Sequence, residues 1–244
     1  MIPTRLGSTR FPGKALADGT GRPLILHVVD RARAASSVER VIVTAPDPEI
    51  IRIVEEAGVE AIETSFDHPN GTSRLAEVAD RLASELPTDA IIVNVQGDEP
   101  ELDPAAIDAV ILALNNDSEA DMSTIATPFG PDGDPADPNQ VKVVIGLNGQ
   151  AIYFSRSLIP FDRDAVGATP LRHVGLYAYR RDFLQRFASW PESPLEQAER
   201  LEQLRVLEHG GRIAVAIHAS DCGGIDTPEQ YAAFVARWRS IHGT

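Results

Sequence analysis

The stretch Arg5–Lys14 reads Arg-Leu-Gly-Ser-Thr-Arg-Phe-Pro-Gly-Lys and places three cations within ten residues. Arg5 and Arg10 offer planar guanidinium groups that suit phosphate oxygens, and Lys14 adds a mobile point charge. The two glycines allow a left-handed backbone and a close approach of N–H groups to a ligand, and the proline shapes the return of the loop. Residues of these types at this spacing predict a loop that cradles a polyphosphate.

This loop departs from two well-known phosphate-binding motifs. No Ser or Thr follows its Gly-Lys pair, and its first glycine has the wrong spacing for a Walker A loop. It also lacks the Gly-x-Gly-x-x-Gly spacing of a dinucleotide turn. The alternative is a solvated basic loop, but the rest of the chain is strongly acidic, with a net charge of −14. A local concentration of cations in such a chain favours an anionic ligand.

Two aspartates are candidates for holding a divalent cation beside that anion. Asp98 follows the most apolar predicted strand, residues 90–95, and Asp226 lies in Gly-Gly-Ile-Asp-Thr-Pro ahead of a predicted helix. Mg²⁺ commonly takes one or two carboxylates together with substrate oxygens. Each aspartate could instead cap a helix, and for Asp226 capping is slightly favoured. Convergence of both carboxylates on one cation would support phosphate chemistry.

A polar turn at residues 68–74 (His-Pro-Asn-Gly-Thr-Ser-Arg) leads into another predicted helix. Its backbone N–H groups at Gly71 and Thr72 suit a nucleobase edge or an anion at a helix N-terminus. A plain N-cap at Asn70 is the alternative, and it does not exclude binding.

A second set of polar side chains lies in the second half of the chain and could bind a carboxylate and hydroxyls. His173 and Tyr177 are both odd-numbered in one predicted strand and therefore share a face, although that face could simply be hydrated. For the residues on the predicted helix 194–209, solvent exposure is the default interpretation. The full set is Arg156, Arg172, His173, Tyr177, Glu202, Gln203 and Arg205.

These residues must be positioned by alternating strands and helices, which specify a doubly wound, mostly parallel α/β sheet. The ligand site of such a sheet lies beyond the carboxyl ends of its strands. Only four residues precede the cationic loop, so its strand is very short or residues upstream are missing. After residue 123 the pattern changes to mixed-sheet elements. Strands are predicted at 40–44, 59–62, 90–95, 123–127, 141–145, 151–154, 172–180 and 212–217, and helices at 22–35, 47–57, 71–86, 104–115, 181–188, 194–209 and 228–241.

Length and composition limit the class of protein. A chain of 244 residues is long enough for one large domain with a substantial core. The acidic net charge argues against nucleic acid or an anionic membrane as a partner. The single cysteine, Cys222, cannot form an intramolecular disulfide, and no signal peptide or membrane-spanning run is visible, which predicts a cytoplasmic protein.

The motifs in this order resemble the 3-deoxy-manno-octulosonate cytidylyltransferase (CMP-KDO synthetase) family over nearly the whole chain. The similarity is carried by Arg-x-x-Ser-Thr-Arg-x-Pro-Gly-Lys, His-x-x-Gly-Thr-x-Arg and Asn-Val-Gln-Gly-Asp-Glu-Pro, followed by Val-Lys-Val-Val, Tyr-Phe-Ser-Arg, Leu-Arg-His, Leu-Glu-Gln-Leu-Arg and Asp-Thr-Pro. Ser73 stands where the family usually has Glu. The Leu-Glu-Gln-Leu-Arg and Arg-His segments favour KDO over sialic acid.

The resemblance implies a role for each matching position. The CTP phosphates would be held by Arg5, Ser8, Arg10 and Lys14, and the cytidine side by Gly71, Thr72, Arg74 and Gln96. Asp98 and Asp226 would ligate Mg²⁺. The sugar acid would be held by Arg156, His173, Tyr177, Glu202 and Gln203.

The family further implies a single Rossmann-like nucleotidyltransferase domain over residues 1–244. Residues up to about 120 would form its nucleotide-binding half, and residues from about 121 its sugar-acid and dimerisation half. The expected activity couples CTP to a KDO-like acid for lipopolysaccharide biosynthesis, in a homodimer with Lys14, Arg10, Asp98 and Asp226 as catalytic residues. A synthetase for CMP-sialic or another nonulosonic acid, and a non-catalytic nucleotide-binding module, remain as alternatives.

Overall fold

The computed structural model describes residues 1–131, 133–219 and 223–243, so Cys222 lies outside the described residues. The chain divides into two compact units. The first comprises Met1–Leu86, Asn94–Ile107 and Asp221–Thr244, and the second comprises Pro87–Val93 and Asp108–Ser220. The C-terminal segment therefore belongs to the first unit, whereas the sequence-based boundary near residue 120 grouped it with the second half. The roles assigned to the two halves stay a prediction.

The described ranges contain nine strands and eight α-helices, which alternate up to β5. The strands are β1 Ile2–Pro3, β2 Ile42–Ala45, β3 Glu60–Glu63, β4 Ile91–Asn94, β5 Met122–Pro128, β6 Lys142–Ile145, β7 Ala151–Ser155, β8 Leu171–Arg180 and β9 Ile213–Ile217. The helices are α1 Leu24–Ala34, α2 Pro48–Glu56, α3 Gly71–Arg81, α4 Pro104–Asn116, α5 Arg181–Ser189, α6 Pro194–Glu199, α7 Gln203–Glu208 and α8 Pro228–His242. None of these helices combines the length and hydrophobicity that a membrane span requires.

The first unit is built on a parallel sheet with the strand order β1-β2-β3. Every residue of β2 is buried, as its continuous apolar run predicts. Pro48 occupies the first turn of α2, and Ile50 and Val54, one helical turn apart, are both buried. This sheet ends at the cationic loop, because β1 stops at Pro3.

The second unit contains a mixed sheet. Its strand order is β7-β6-β8-β5-β9, and β4 also pairs with β8. β5 runs parallel to β9 and antiparallel to β8, whereas β6 is antiparallel to both β7 and β8. The predicted α/β class, with a parallel part and a mixed-sheet part, is therefore confirmed.

The single helix predicted over residues 194–209 is wrong, because α6 and α7 are separated at Arg200. Arg200 adopts a left-handed conformation, with φ 55° and ψ 48°, which ends α6. The guanidinium of Arg156 donates from Nε to the carbonyl of Glu199 at 2.7 Å and from Nη2 to the carbonyl of Arg200 at 3.4 Å. These contacts satisfy carbonyls at the end of the helix, and no glycine marks the break in the sequence.

Candidate active site

The cationic loop forms one wall of an open cavity of about 420 Å³ in the first unit. This volume lies within the range of small-ligand sites. Its lining residues are Pro3, Thr4, Arg5, Gly7, Ser8, Thr9, Arg10, Lys14, Gln96, Gly97 and Asp98. The structure therefore brings the phosphate-loop candidates together with Gln96 and Asp98, which follow the loop by more than eighty positions in the chain.

The loop is closed by hydrogen bonds at its base. The N–H of Gly13 donates to the carbonyl of Leu6 at 3.0 Å, and Gly13 takes the left-handed conformation, with φ 72°, that a glycine adopts without strain. The N–H of Leu6 donates to Asp47 Oδ2 at 2.9 Å. Asp47 therefore fixes the loop from the start of α2, a role that no spacing in the sequence indicates.

Gly97 allows the segment after β4 to lie directly against the segment after β1. A Cβ atom at this position would lie 2.9 Å from the carbonyl oxygen of Pro3 and 3.1 Å from Cβ of Thr4. Because the nearest atom belongs to the backbone, a side chain here would push the two cavity walls apart. The cavity therefore requires a glycine at position 97. This glycine belongs to the Asn-Val-Gln-Gly-Asp-Glu-Pro motif, but the sequence did not indicate why it is needed.

We expect Gly97→Ala to lower the free energy of unfolding by about 1–3 kcal/mol, since the added methyl group overlaps the backbone of Pro3. Urea denaturation measures this change. Gly7→Ala is the matched control in the same cavity, because a Cβ at Gly7 meets no atom within 4 Å. The control should change stability by no more than about 0.5 kcal/mol. Equal stability of the two variants would contradict the close contact at Gly97.

The ammonium of Lys14 joins the two candidate metal ligands. Lys14 Nζ lies 2.7 Å from Asp98 Oδ2 and 3.2 Å from Asp226 Oδ1, and it also donates to the carbonyl of Ile225 at 2.8 Å. Arg10 Nη2 lies 2.9 Å from Asp226 Oδ2. The two carboxylates, 128 positions apart in sequence, thus both contact the ammonium of Lys14.

The alternative roles of these aspartates as helix caps do not fit the structure. The N-cap of α8 is Thr227, whose hydroxyl accepts from the N–H of Gln230 at 3.3 Å. Before α4, Asp103 accepts from the N–H of Ala105 at 3.1 Å. Asp98 and Asp226 are therefore left to pair with Lys14.

The arrangement fits a divalent cation. No group of three or more His, Cys, Asp or Glu residues that could hold a metal is present in residues 1–131, 133–219 and 223–243. Two carboxylates nevertheless suffice for Mg²⁺ when substrate phosphates complete its ligands. Asp98 and Asp226 are only partly exposed, and both contact the same positively charged group, the ammonium of Lys14.

The start of α3 lies outside the lining of the cavity. A Cβ at Gly71 would lie 3.1 Å from Pro3, so this turn packs against a cavity wall. Thr72 and Arg74 are buried, and Arg74 donates to the hydroxyl of Thr64 and, at 3.1 Å, to the carbonyl of Ser65. Burial lowers the pKa of Arg74. The Asn70 side chain caps the helix, accepting from the N–H of Ser73 at 2.9 Å.

A polar cluster in the second unit gathers three of the sugar-acid candidates. The rings of His173 and Tyr177 lie 5.5 Å apart, as the shared-face prediction requires. Between His173 and Tyr177, β8 has a bulge with two residues more than the paired strand β5. Because two residues are added, His173 and Tyr177 still point to the same face of the sheet. Tyr177 Oη donates to Gln203 Oε1 at 3.3 Å. Gln203 Nε2 is buried, and no hydrogen-bond acceptor is present for it among the described residues.

Two other sugar-acid candidates, Arg156 and Glu202, have different surroundings. The Arg156 side chain donates three hydrogen bonds to backbone carbonyls, and its backbone N–H donates to the carboxylate of Glu199, so this residue supports the corner between α6 and α7. Glu202 is the N-cap residue of α7, and its carboxylate lies 3.7 Å from the guanidinium of Arg205. The default interpretation of solvent exposure is wrong for Gln203 and Arg205, which are 3% and 4% exposed.

The stability of the protein should depend on pH through His173. Burial lowers the pKa of His173 from 6.5 to about 3, so the folded protein keeps this imidazole neutral, with Nε2 beside the Thr124 hydroxyl at 2.9 Å. Below pH 6.5 the unfolded chain binds a proton that the folded chain does not. Stability therefore falls between pH 6.5 and about 3, by at most about 1.4 kcal/mol per pH unit from this group.

Urea denaturation of the wild type and of His173→Gln across pH 7 to 4 measures that contribution. The variant should lose stability less steeply as the pH falls, since it lacks the group that protonates on unfolding. Parallel pH curves for the two proteins would contradict a neutral His173.

A parallel sheet that carries a cationic cavity beside two converging carboxylates is the arrangement expected of a nucleotidyltransferase. A family model described as "Cytidylyltransferase" matches residues 1–213. The 3-deoxy-manno-octulosonate cytidylyltransferase of Sodalis glossinidius (strain morsitans) is 47% identical over 240 residues, which cover 95% of this chain and 94% of that protein. The chain therefore belongs to the cytidylyltransferase family, and the resemblance inferred from its motifs is confirmed.

Solved structures agree with this assignment. CMP:2-keto-3-deoxy-manno-octonic acid synthetase complexed with CTP superposes with a TM-score of 0.90 at 40% identity, covering 98% of this chain and 97% of that chain. 4-Diphosphocytidyl-2C-methyl-D-erythritol synthase superposes with a TM-score of 0.64 at 12% identity, covering 96% of each chain. The second similarity shows the fold alone.

Proposed function

We propose that this protein couples CTP to 3-deoxy-manno-octulosonate, giving CMP-KDO and pyrophosphate. The proposal is carried by one observation: Lys14 hydrogen-bonds to both Asp98 and Asp226 at the wall of a cationic cavity. A relative with the corresponding name is 47% identical in sequence, and a 40% identical synthetase was solved with CTP.

We assign the CTP phosphates to the cavity of the first unit. Arg5, Ser8, Arg10 and Lys14 line it and supply hydrogen-bond donors of the kind that triphosphate oxygens accept. Gln96 also lines this cavity and is assigned to the cytidine side. Gly71, Thr72 and Arg74 complete that assignment indirectly, since the turn that they form packs against Pro3.

We assign the sugar acid to the polar cluster of the second unit. The buried Nε2 of Gln203 is a donor that a ligand oxygen would satisfy, because leaving it unpaired costs about 1–3 kcal/mol. His173 is neutral and Tyr177 carries a hydroxyl, so both suit sugar hydroxyls. Arg156 and Glu202 frame the corner that presents Gln203.

The reaction needs positioning and charge neutralisation rather than covalent catalysis. The anomeric oxygen of the sugar acid forms a bond to the α-phosphorus of CTP, its proton passes to solvent, and the bond from that phosphorus to the pyrophosphate oxygen breaks. Lys14 and Arg10 stabilise the charge that develops on pyrophosphate. Cytidylyltransferases generally use a divalent metal, and Mg²⁺ held by Asp98 and Asp226 would lower the charge on the α-phosphate and the attacking oxygen.

The setting of this activity is also proposed. The acidic charge of the chain suits small anionic substrates bound at a local cationic site better than nucleic acid or an anionic membrane. A single cysteine is typical of a reducing compartment, so we place the enzyme in the cytoplasm. We further propose that it works as a homodimer, as its family does, and supplies lipopolysaccharide biosynthesis.

A pyrophosphate-release screen of sugar acids against the four nucleoside triphosphates tests this function. We expect release with CTP and KDO, and much less when sialic acid replaces KDO or another triphosphate replaces CTP. Preference for sialic acid would favour a nonulosonic acid synthetase. CTP binding without release for any acid would leave a non-catalytic nucleotide-binding module.

A further inference from the structure

Lys14 is fully committed to the carboxylate pair in this structure. A lysine ammonium has three N–H donors, and three acceptors of the described residues surround Lys14 Nζ: Asp98 Oδ2, Asp226 Oδ1 and the carbonyl of Ile225, at 2.7, 3.2 and 2.8 Å. Only 15% of the Lys14 side chain is exposed. An ammonium held in this way has no donor left for a phosphate oxygen.

The local charges balance without any bound ion. Asp226 presents its second oxygen, Oδ2, to Arg10 at 2.9 Å, so each of its oxygens contacts a different cation. Two carboxylates therefore face two monovalent cations of the chain. A divalent cation carries the same total charge as Lys14 and Arg10 together, and it could replace them without a change in net charge.

Lys14 and a divalent cation compete for the same place. A small divalent cation binds carboxylate oxygens at about 2.0–2.1 Å, closer than any ammonium approaches, and the two positive charges repel each other. A cation that binds both Asp98 and Asp226 must therefore displace Lys14. The displaced ammonium needs another anion, and the cavity that it lines also contains Arg5 and Arg10, where we assign the triphosphate.

We propose that Lys14 is an exchangeable resident cation of the Asp98–Asp226 pair, released to the triphosphate when a divalent cation takes its place. The inference rests on the proposed function. It makes cation and nucleotide binding mutually reinforcing: the cation frees Lys14 for the phosphates, and the phosphates draw Lys14 from the carboxylates. The coupling is reciprocal because both ligands act on one equilibrium.

The proposal predicts that removal of this cationic residue strengthens metal binding. Mn²⁺ titration of the nucleotide-free protein, followed by electron paramagnetic resonance of the free ion, should give an affinity about tenfold or more higher for Lys14→Met than for the wild type. Mn²⁺ should also raise the thermal midpoint of Lys14→Met more than that of the wild type, because the ion then neutralises an unpaired carboxylate pair.

Two further variants separate exchange from a general change in charge. Arg5→Met removes one positive charge from the same cavity, and in the described part of the chain Arg5 makes no hydrogen bond to either carboxylate; its effect on Mn²⁺ affinity should be clearly smaller. The double variant Lys14→Met with Asp98→Asn should lose the gain. If Lys14→Met does not fold by circular dichroism, Lys14→Gln takes its place with the same expected result.

Equal or weaker Mn²⁺ binding by a folded Lys14 variant would overturn the exchange, as would an equal gain for Arg5→Met. These measurements involve no turnover. If the wild type releases no pyrophosphate with any sugar acid while Lys14→Met gains Mn²⁺ affinity, the proposed function fails and the exchange stands. If the wild type releases pyrophosphate and Lys14→Met gains no Mn²⁺ affinity, the proposed function stands and the exchange fails.

Discussion

Asp98→Asn is expected to lower turnover of CTP with KDO by about 100-fold or more, with little change in fold. Asp98 supplies one of the two carboxylates that meet at Lys14 among the described residues, and asparagine has the same shape without the charge. Removal of one preorganised electrostatic group at a charged reaction centre commonly costs a factor of about 10²–10³ in rate. The loss should fall mainly on kcat, since the charge acts on the transferring phosphate.

Pyrophosphate release under saturating CTP and KDO measures this effect, and circular dichroism and thermal unfolding check the fold. Asp80→Asn is the matched control, because Asp80 is an exposed aspartate of α3 in the same unit. The control should retain normal turnover. Near-normal turnover of Asp98→Asn would remove Asp98 from the reaction centre, and equal losses in both variants would indicate a non-specific effect of charge.

Arg205→Met is expected to lower the free energy of unfolding by about 3–5 kcal/mol, the cost of leaving a buried charge without its partner. Arg205 donates from Nε to Glu196 Oε2 at 2.6 Å and from Nη2 to Oε1 at 2.5 Å, and both side chains are buried. It also donates to the carbonyl of Trp190 at 3.1 Å. The hydrogen bond to Glu196 raises the pKa of Arg205.

Urea denaturation in a double-mutant cycle measures this prediction. Arg205→Met combined with Glu196→Gln removes both charges, so it should be less destabilised than the sum of the single variants. Arg212→Met is the control, since Arg212 pairs with Glu119 on the surface and exposed pairs contribute about 0–1 kcal/mol. A loss below about 1 kcal/mol for Arg205→Met, or strict additivity in the cycle, would contradict a buried pair.

The cationic loop and its carboxylates could be proposed from sequence because their residue types suit a phosphate and a divalent cation. Three cations beside two glycines indicate phosphate wherever the rest of the chain is acidic. Sequence left the choice for Asp226 between capping and metal binding open, because Thr227 and Asp226 are both good caps. Only the structure shows that Thr227 caps α8 while Asp226 contacts Lys14.

Contacts between distant segments could not be predicted. Asp47 reaches Leu6, and Gly97 packs on Pro3, across 41 and 94 positions that no periodicity connects. The same limit applies to the break in the helix predicted over residues 194–209. Its left-handed residue is Arg200 rather than a glycine, and the carbonyls freed there accept hydrogen bonds from Arg156, directly after β7.

The burial of α7 could not be predicted either, because the segment Glu-Gln-Leu-Arg is polar and is typical of an exposed helix. Gln203 and Arg205 are buried since each has partners on other elements: Tyr177 on β8 for Gln203, and Glu196 on α6 for Arg205. A polar side chain is assigned to the surface by default in sequence analysis, and only its partners reverse that assignment.

The central claim is tested most directly by mass spectrometry of the products formed from CTP and KDO in the presence of Mg²⁺. We predict a CMP-sugar whose mass equals CMP plus KDO less one water, together with an equal molar amount of pyrophosphate. Intact CTP and KDO after prolonged incubation with folded protein, or CMP and phosphate without a sugar conjugate, would contradict it.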